Sequence, residues 1–114
     1  MYKGRNPYGE KGEMLAKKYL EKQGIKILEH NFSTKLGEID LIFKDGEVLV
    51  FAEVKTRSSE KFGLPREAIT PHKQNKIRQV ATQYMIKHKC YPCACRFDVI
   101  EVLDGNVTHL QNAF

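Results

Sequence analysis

Gly37 to Arg57, GEIDLIFKDGEVLVFAEVKTR, reads as two strands joined by a tight turn, with acids and a lysine where a plain hairpin needs none. Asp45-Gly46, flanked by alternating apolar residues, is a strong hairpin signal. With those two residues as the turn, Lys44 faces Glu47, Asp40 pairs with Phe51, and Glu38 pairs with Glu53. Side chains alternate faces along a strand. Ile39, Leu41 and Phe43 therefore share one face with Val48, Val50, Ala52 and Val54. Glu38 and Asp40 share the other with Phe51, Glu53 and Lys55. Asp40 and Glu53 become diagonal neighbours, roughly 7–8 Å apart at the backbone, near enough for both carboxylates to meet one ion.

An aspartate followed after twelve residues by Glu-Val-Lys has a chemical rationale. A hard cation such as Mg²⁺ or Mn²⁺ is held by one or two carboxylates, with positions left for water and phosphate. Asp40 and Glu53 are the candidate ligands, and the Val54 carbonyl is a further candidate. Lys55 points to the same side as Glu53, where it can orient an attacking water or neutralise charge building on a phosphate. Arg57, at the strand end, is placed to grip a neighbouring phosphate. The competing reading is a surface hairpin with ordinary cross-strand ion pairs. Like charges set opposite one another are destabilising, so the acid cluster favours a cation.

The flanking chain supplies context. Residues from about Glu10 to Gln23 have helical spacing in Ala16, Tyr19, Leu20 and Gln23, with Gly24 as the stop. Residues 1–9 read as a loose arm. Glu13 lies on the apolar stripe; it either favours the helix dipole or reaches toward the acidic sheet face. Ile25 to Phe32 reads as the first strand, and Ser58 to Leu64 as a polar, mobile loop. Thr70-Pro71 opens a second helix as N-cap and first helical residue. Its apolar stripe is Ile77, Val80, Ala81, Tyr84 and Met85. Arg96 to Leu103 is the next strand, and Val107 to Leu110 a short last one. The order is α-β-β-β-α-β-β, an α/β domain with helices packed on one mixed sheet.

The chain of 114 residues suffices for one domain, and 41% apolar content excludes a disordered chain. The net charge is +5. Between Lys55 and Arg96 there are ten Lys or Arg and two acids, so the excess follows the acidic hairpin and suits a polyanion. Lys73, Lys76 and Arg78 lie mostly off the helix stripe and are candidate nucleic-acid contacts. Aromatic residues do not interleave with them, which points to backbone contacts rather than base stacking. No apolar run approaches the ~20 residues of a membrane span. The N-terminus lacks a signal-peptide core, so the expected location is the cytoplasm.

Cys90, Cys93 and Cys95 have partial zinc-knuckle spacing, but no second pair accompanies them. They read as small residues of a helix-to-strand connection. His30, His72 and His109 have no matching partner spacing. Asp98 reads as a structural acid paired with a basic residue.

Gly12-Glu13 with Ala16 and Tyr19-Leu20, Gly37-Glu38-Ile39-Asp40-Leu41-Ile42, Phe51-Ala52-Glu53-Val54-Lys55-Thr56-Arg57 and Arg96-Phe97-Asp98-Val99 together resemble the YraN-type family of small bacterial proteins. The resemblance spans nearly the whole chain and implies a restriction-endonuclease-like fold. More distantly, the chain is similar to PD-(D/E)xK nucleases and archaeal Holliday junction resolvases. That resemblance implies Asp40 and Glu53 as metal ligands, Lys55 as the catalytic lysine and Glu13 as the helix acid completing the site. The expected activity is metal-dependent hydrolysis of DNA phosphodiesters, on branched or single-stranded structures. The alternative is a nucleic-acid-binding or assembly module that keeps the fold without turnover. So small a nuclease domain would engage a duplex as a homodimer or within a larger complex.

Overall fold

A mixed five-stranded sheet forms the centre of the molecule, with strands in the order β1-β2-β3-β4-β5. The computed structural model describes residues 7–57 and 69–114. Its elements are α1 (Pro7–Lys22), β1 (Ile27–Thr34), β2 (Gly37–Asp45), β3 (Val48–Arg57), α2 (Pro71–Lys87), β4 (Cys95–Leu103) and β5 (Asn106–Leu110). The expected order of elements is therefore the observed one. The β1–β2, β2–β3 and β4–β5 pairs are antiparallel, whereas β3 and β4 run parallel, joined through α2. No helix among the described residues is long and apolar enough to cross a membrane.

The two helices cover opposite faces. Ala16 and Leu20 of α1 pack with Leu41, Phe43, Val50, Ala52, Ile100 and Val102. Ile77, Val80, Ala81, Tyr84 and Met85 of α2 pack with Ile42, Phe51 and Val99. The predicted stripe of α2 is thus its buried face. Thr70 caps it, its hydroxyl accepting the Lys73 N–H at 3.2 Å, and Pro71 occupies the first turn, where a missing N–H is harmless. On α1, Gly12 sits so close to the Thr56 side chain that an added Cβ would collide with Oγ1. That approach sets the helix directly on the end of β3.

Several expected boundaries move. The helix begins at Pro7 rather than Glu10, so residues 7–9 belong to α1 and not to a loose arm; residues 1–6 lie outside the described residues. Proline at the first helical position is pre-set for the helix. The first strand starts at Ile27 rather than Ile25, because the Ile25 N–H is used to close α1, donating to the Leu20 carbonyl at 3.1 Å. The expected mobile loop, Ser58 to Leu64, lies outside the described residues.

The hairpin register also differs from expectation. Asp45 pairs with Val48, Lys44 with Leu49 and Leu41 with Ala52, so the turn residues are Gly46-Glu47 rather than Asp45-Gly46. Gly46 has φ +64°, the glycine-first arrangement of a type II′ turn. The Asp45 carboxylate is held at 2.9 Å by Arg96 of β4, which keeps Asp45 at the end of its strand. The correction is two residues, one full period, so the face assignments survive it. One exception is Ile39, which joins Ile42 and Phe51 on the α2 side, while Leu41 and Phe43 face α1. Alternation is broken at Asp40.

Asp98 is wholly buried and is the structural acid that its sequence context suggests. It accepts two 2.9 Å bonds from Arg96 and a 3.0 Å bond from the Asn112 N–H, and its Oδ2 lies 2.6 Å from His109 Nε2. Burial alone pushes this carboxyl up. Hydrogen bonds from His109, Arg96 and Asn112, with the charge of Arg96, outweigh burial and hold it below its ordinary 3.8. Because the folded-state pKa is depressed, the stabilisation is complete above about pH 4 and is lost as pH falls through the folded value. Asp98→Asn should cost about 2–4 kcal/mol near neutral pH, measured by denaturant unfolding, with the deficit shrinking below about pH 4. A deficit independent of pH would exclude the charge as its source. Gly12→Ala should destabilise by about 1–3 kcal/mol through displacement of α1 from Thr56; an unchanged unfolding midpoint would contradict the close approach.

Candidate active site

The acids of the hairpin meet where the strands part. The β2–β3 pairing runs from Asp45–Val48 to Leu41–Ala52 and goes no further. Beyond it, Asp40 Oδ2 accepts the Val54 N–H at 2.8 Å. A side chain replaces a rung of backbone ladder, and the Asp40 carboxylate is thereby fixed beside Glu53. Val54 packs on the α1 face, so Glu53 and Lys55, its neighbours in sequence, turn toward α2.

Glu53 is only 4% exposed. Its Oε1 lies 4.0 Å from Lys73 Nζ, and its Oε2 is buried with no hydrogen-bond partner. Burial pushes the carboxyl up to about 8, and the charge of Asp40 adds to the rise; Lys73, Lys55 and the Asp40 N–H only partly oppose it. Lys55 is half-buried, and its pKa is lowered first by burial and then by the adjacent Lys73 ammonium. Two carboxylates and two ammonium groups therefore share one small region, and Glu53 is incompletely compensated within it. A buried carboxylate oxygen without a donor, next to a second carboxylate, is a donor set that suits a hard oxygen-seeking cation.

The remaining candidates fall elsewhere. Glu13 is half-buried on α1, one residue from Gly12 and its contact with Thr56. Among the described residues no three His, Cys, Asp or Glu side chains gather in a metal-holding group. Arg57 is 11% exposed, its Nε 3.7 Å from Glu101 of β4. Arg78 stacks its guanidinium on Phe97 and Phe114, at 5.4 and 5.7 Å from the ring centres, rather than extending toward the acids. Lys76 is exposed on α2. Lys73, a candidate phosphate contact by sequence, has its Nζ 4.0 Å from Glu53 Oε1. The thiols of Cys90, Cys93 and Cys95 are free, with Cys93 Sγ 3.5 Å from Met85 Sδ.

A family model described as uncharacterised protein family UPF0102 matches residues 12–102. The chain belongs to UPF0102. Among its relatives, a UPF0102 protein of Caldicellulosiruptor saccharolyticus is 50% identical, covering 93% of this chain and 95% of its own. A UPF0102 protein of Pelotomaculum thermopropionicum is 44% identical over the full length of both chains, and one of Clostridioides difficile is 46% identical over 93% and 95%. The UPF0102 match takes in Glu13, the whole hairpin and Lys73, so Asp40, Glu53, Lys55 and Lys73 all lie within it.

The raised Glu53 carboxyl gives this chain a liability that pH should reveal. Its folded-state pKa of about 8 exceeds its ordinary 4.5, so stability is highest below 4.5 and is lost as pH rises toward 8. Glu53→Gln should therefore be more stable than wild type at pH 8, by about 1–3 kcal/mol, and equal to it near pH 4.5. Parallel pH profiles of unfolding free energy for the two proteins would refute a buried, undercompensated Glu53.

Proposed function

We propose that this UPF0102 protein is a metal-dependent nuclease with a restriction-endonuclease-like fold, acting on DNA phosphodiester bonds. The observation that carries the reading is the pair Asp40 and Glu53 beside Lys55, at the point where β2 and β3 separate and one Glu53 oxygen is buried without a partner. The α-β-β-β-α-β-β order on a mixed sheet supports the fold assignment, as does the resemblance of the hairpin motif to the PD-(D/E)xK nucleases.

In this reading Asp40 and Glu53 hold Mg²⁺ or Mn²⁺, with the Val54 carbonyl as a third oxygen. Such an ion supplies Lewis acidity toward a scissile phosphodiester. The chain's own residues divide the remaining work. Val54 N–H fixes the Asp40 carboxylate beside Glu53. Lys55, held half-buried on a rigid strand, orients water near the reacting phosphorus or offsets charge developing on the phosphate oxygens. The exposed basic residues of α2 contact the backbone of the polyanion, so binding weakens steeply with salt. Branched or single-stranded DNA are the preferred substrates to examine, since the basic surface offers charge rather than a base-stacking platform.

The test is incubation of purified protein with linear duplex, single-stranded, flapped and four-way-junction DNA in Mg²⁺, Mn²⁺ or EDTA. Cleavage should require the cation and fall by about 10²-fold or more in Asp40→Asn, Glu53→Gln and Lys55→Ala. Cleavage that persists unchanged in these variants would sink the site assignment. Salt-sensitive DNA binding with no cleavage of any substrate would instead favour a non-catalytic binding module. Mn²⁺ should also raise the melting temperature of wild type at pH 8 and leave Glu53→Gln unmoved. An equal response of both proteins would place the ion elsewhere.

A further inference from the structure

Lys73 stands where a cation would have to act. It projects from the first turn of α2, its backbone tied by the Thr70 cap, and its side chain is 47% exposed. At 4.0 Å its ammonium is an ion-pair neighbour of Glu53 Oε1 and not a hydrogen-bond donor to it. It leaves the second Glu53 oxygen without a partner. The contact is loose, one-sided and open to solvent. Lys55, by contrast, is anchored on β3 and half-buried, so the two ammonium groups differ in their freedom to move.

We propose that Lys73 is an exchangeable counter-ion: it shields Glu53 when the site lacks a divalent cation, and is released to a phosphate of the bound polyanion when the cation arrives. The inference rests on the metal-site reading above. Its physical basis is charge balance in a poorly solvated place. A dication at Asp40 and Glu53 takes over the neutralisation that Lys73 supplies and repels both neighbouring ammonium groups. Lys73 has a flexible four-carbon stem and solvent on one side, so it is the group that can leave at little cost. It rotates toward the exposed first turns of α2, where His72 and Lys76 also face solvent. The result is linkage: cation and polyanion each favour the arrangement that suits the other, and each tightens the other's binding by the same factor.

The measurement is a thermodynamic cycle on the full chain. Affinity for a fluorescent four-way junction is determined by anisotropy in Ca²⁺ and in EDTA, for wild type, Lys73→Gln, Lys73→Arg and Lys76→Gln. Cation binding is measured separately by Mn²⁺ titration without DNA. The ratio of DNA affinities with and without Ca²⁺ should be about 5-fold or more smaller in Lys73→Gln than in wild type, within the usual range of coupling. Lys73→Arg should restore most of that ratio. Lys76→Gln should lower affinity alike in both conditions and leave the ratio unchanged. Mn²⁺ should bind Lys73→Gln several-fold more tightly than wild type, its competitor having been removed. If Mn²⁺ binds wild type and loses affinity in Asp40→Asn, but the DNA ratio is the same in Lys73→Gln as in wild type, the exchange is overturned and the metal site stands. If Mn²⁺ binding is absent, or indifferent to Asp40→Asn, the metal reading falls and the exchange with it. Absence of DNA binding in both conditions overturns the polyanion half of both.

Discussion

A single hydrogen bond, from the Val54 N–H to Asp40 Oδ2, determines how the site is built. In a hairpin the backbone groups of facing strands satisfy one another. Here the ladder ends at Leu41–Ala52 and a carboxylate takes over. A charge-assisted bond of this kind is worth about 1.5–3 kcal/mol, more than the neutral bond of an ordinary rung. It therefore holds a break in the sheet that would otherwise close. The break moves Ile39 to the α2 face, separates it from Leu41, and fixes an acid next to Glu53. Each of these is a consequence of one side chain competing with backbone.

The sheet contains two strongly buried carboxylates, and their surroundings differ in a telling way. Asp98 is ringed by Arg96, His109 and the Asn112 N–H, and its acidity is strengthened. It ties the hairpin end, through Arg96 and Asp45, to β4, β5 and the C-terminal residues. Glu53, almost as deep, has Lys73 at 4.0 Å, Lys55 near by, a like-charged neighbour in Asp40 and one oxygen without a partner, and its acidity is weakened. The first arrangement is what stability requires of a buried charge. The second costs stability and persists in the same domain. A buried, undercompensated Glu53 at the end of a strand, beside a second carboxylate and two lysines, is the kind of arrangement found where a site is shaped for a ligand.

The period-two pattern made the two faces of the hairpin legible, because any even slip in register leaves faces unchanged. The register itself was not legible. Asp45-Gly46 and Gly46-Glu47 are both acceptable two-residue turns, and the bond from Arg96 to Asp45, across 51 residues of chain, leaves no local trace. The same limit explains the arginines. Arg57 and Arg78 look like free cations in sequence, yet Glu101 and the rings of Phe97 and Phe114 lie against them only after folding. Lys73 was readable as a basic residue near a capped helix start. Its partnership with Glu53 was not, since twenty residues separate them and only the crossover brings them together. The sole clue was the geometry of the connection.

That connection explains why the site lies at this end of the sheet. β3 and β4 are parallel, so the chain leaving the carboxyl end of β3 must travel back along the sheet before β4 can start. α2 makes that return journey. Its first turn is therefore delivered to the end of β3 that carries Glu53 and Lys55, and its last turn to the start of β4. The N-terminus of a helix carries partial positive charge, and here it also carries Lys73. On the opposite face α1 seats Gly12 against Thr56, closing the same strand end from behind. A parallel crossover thus brings a positive helix start to a buried acid pair as a matter of topology. Two carboxylates on the hairpin and a lysine in the first turn are enough to concentrate charge of both signs at that end of the sheet.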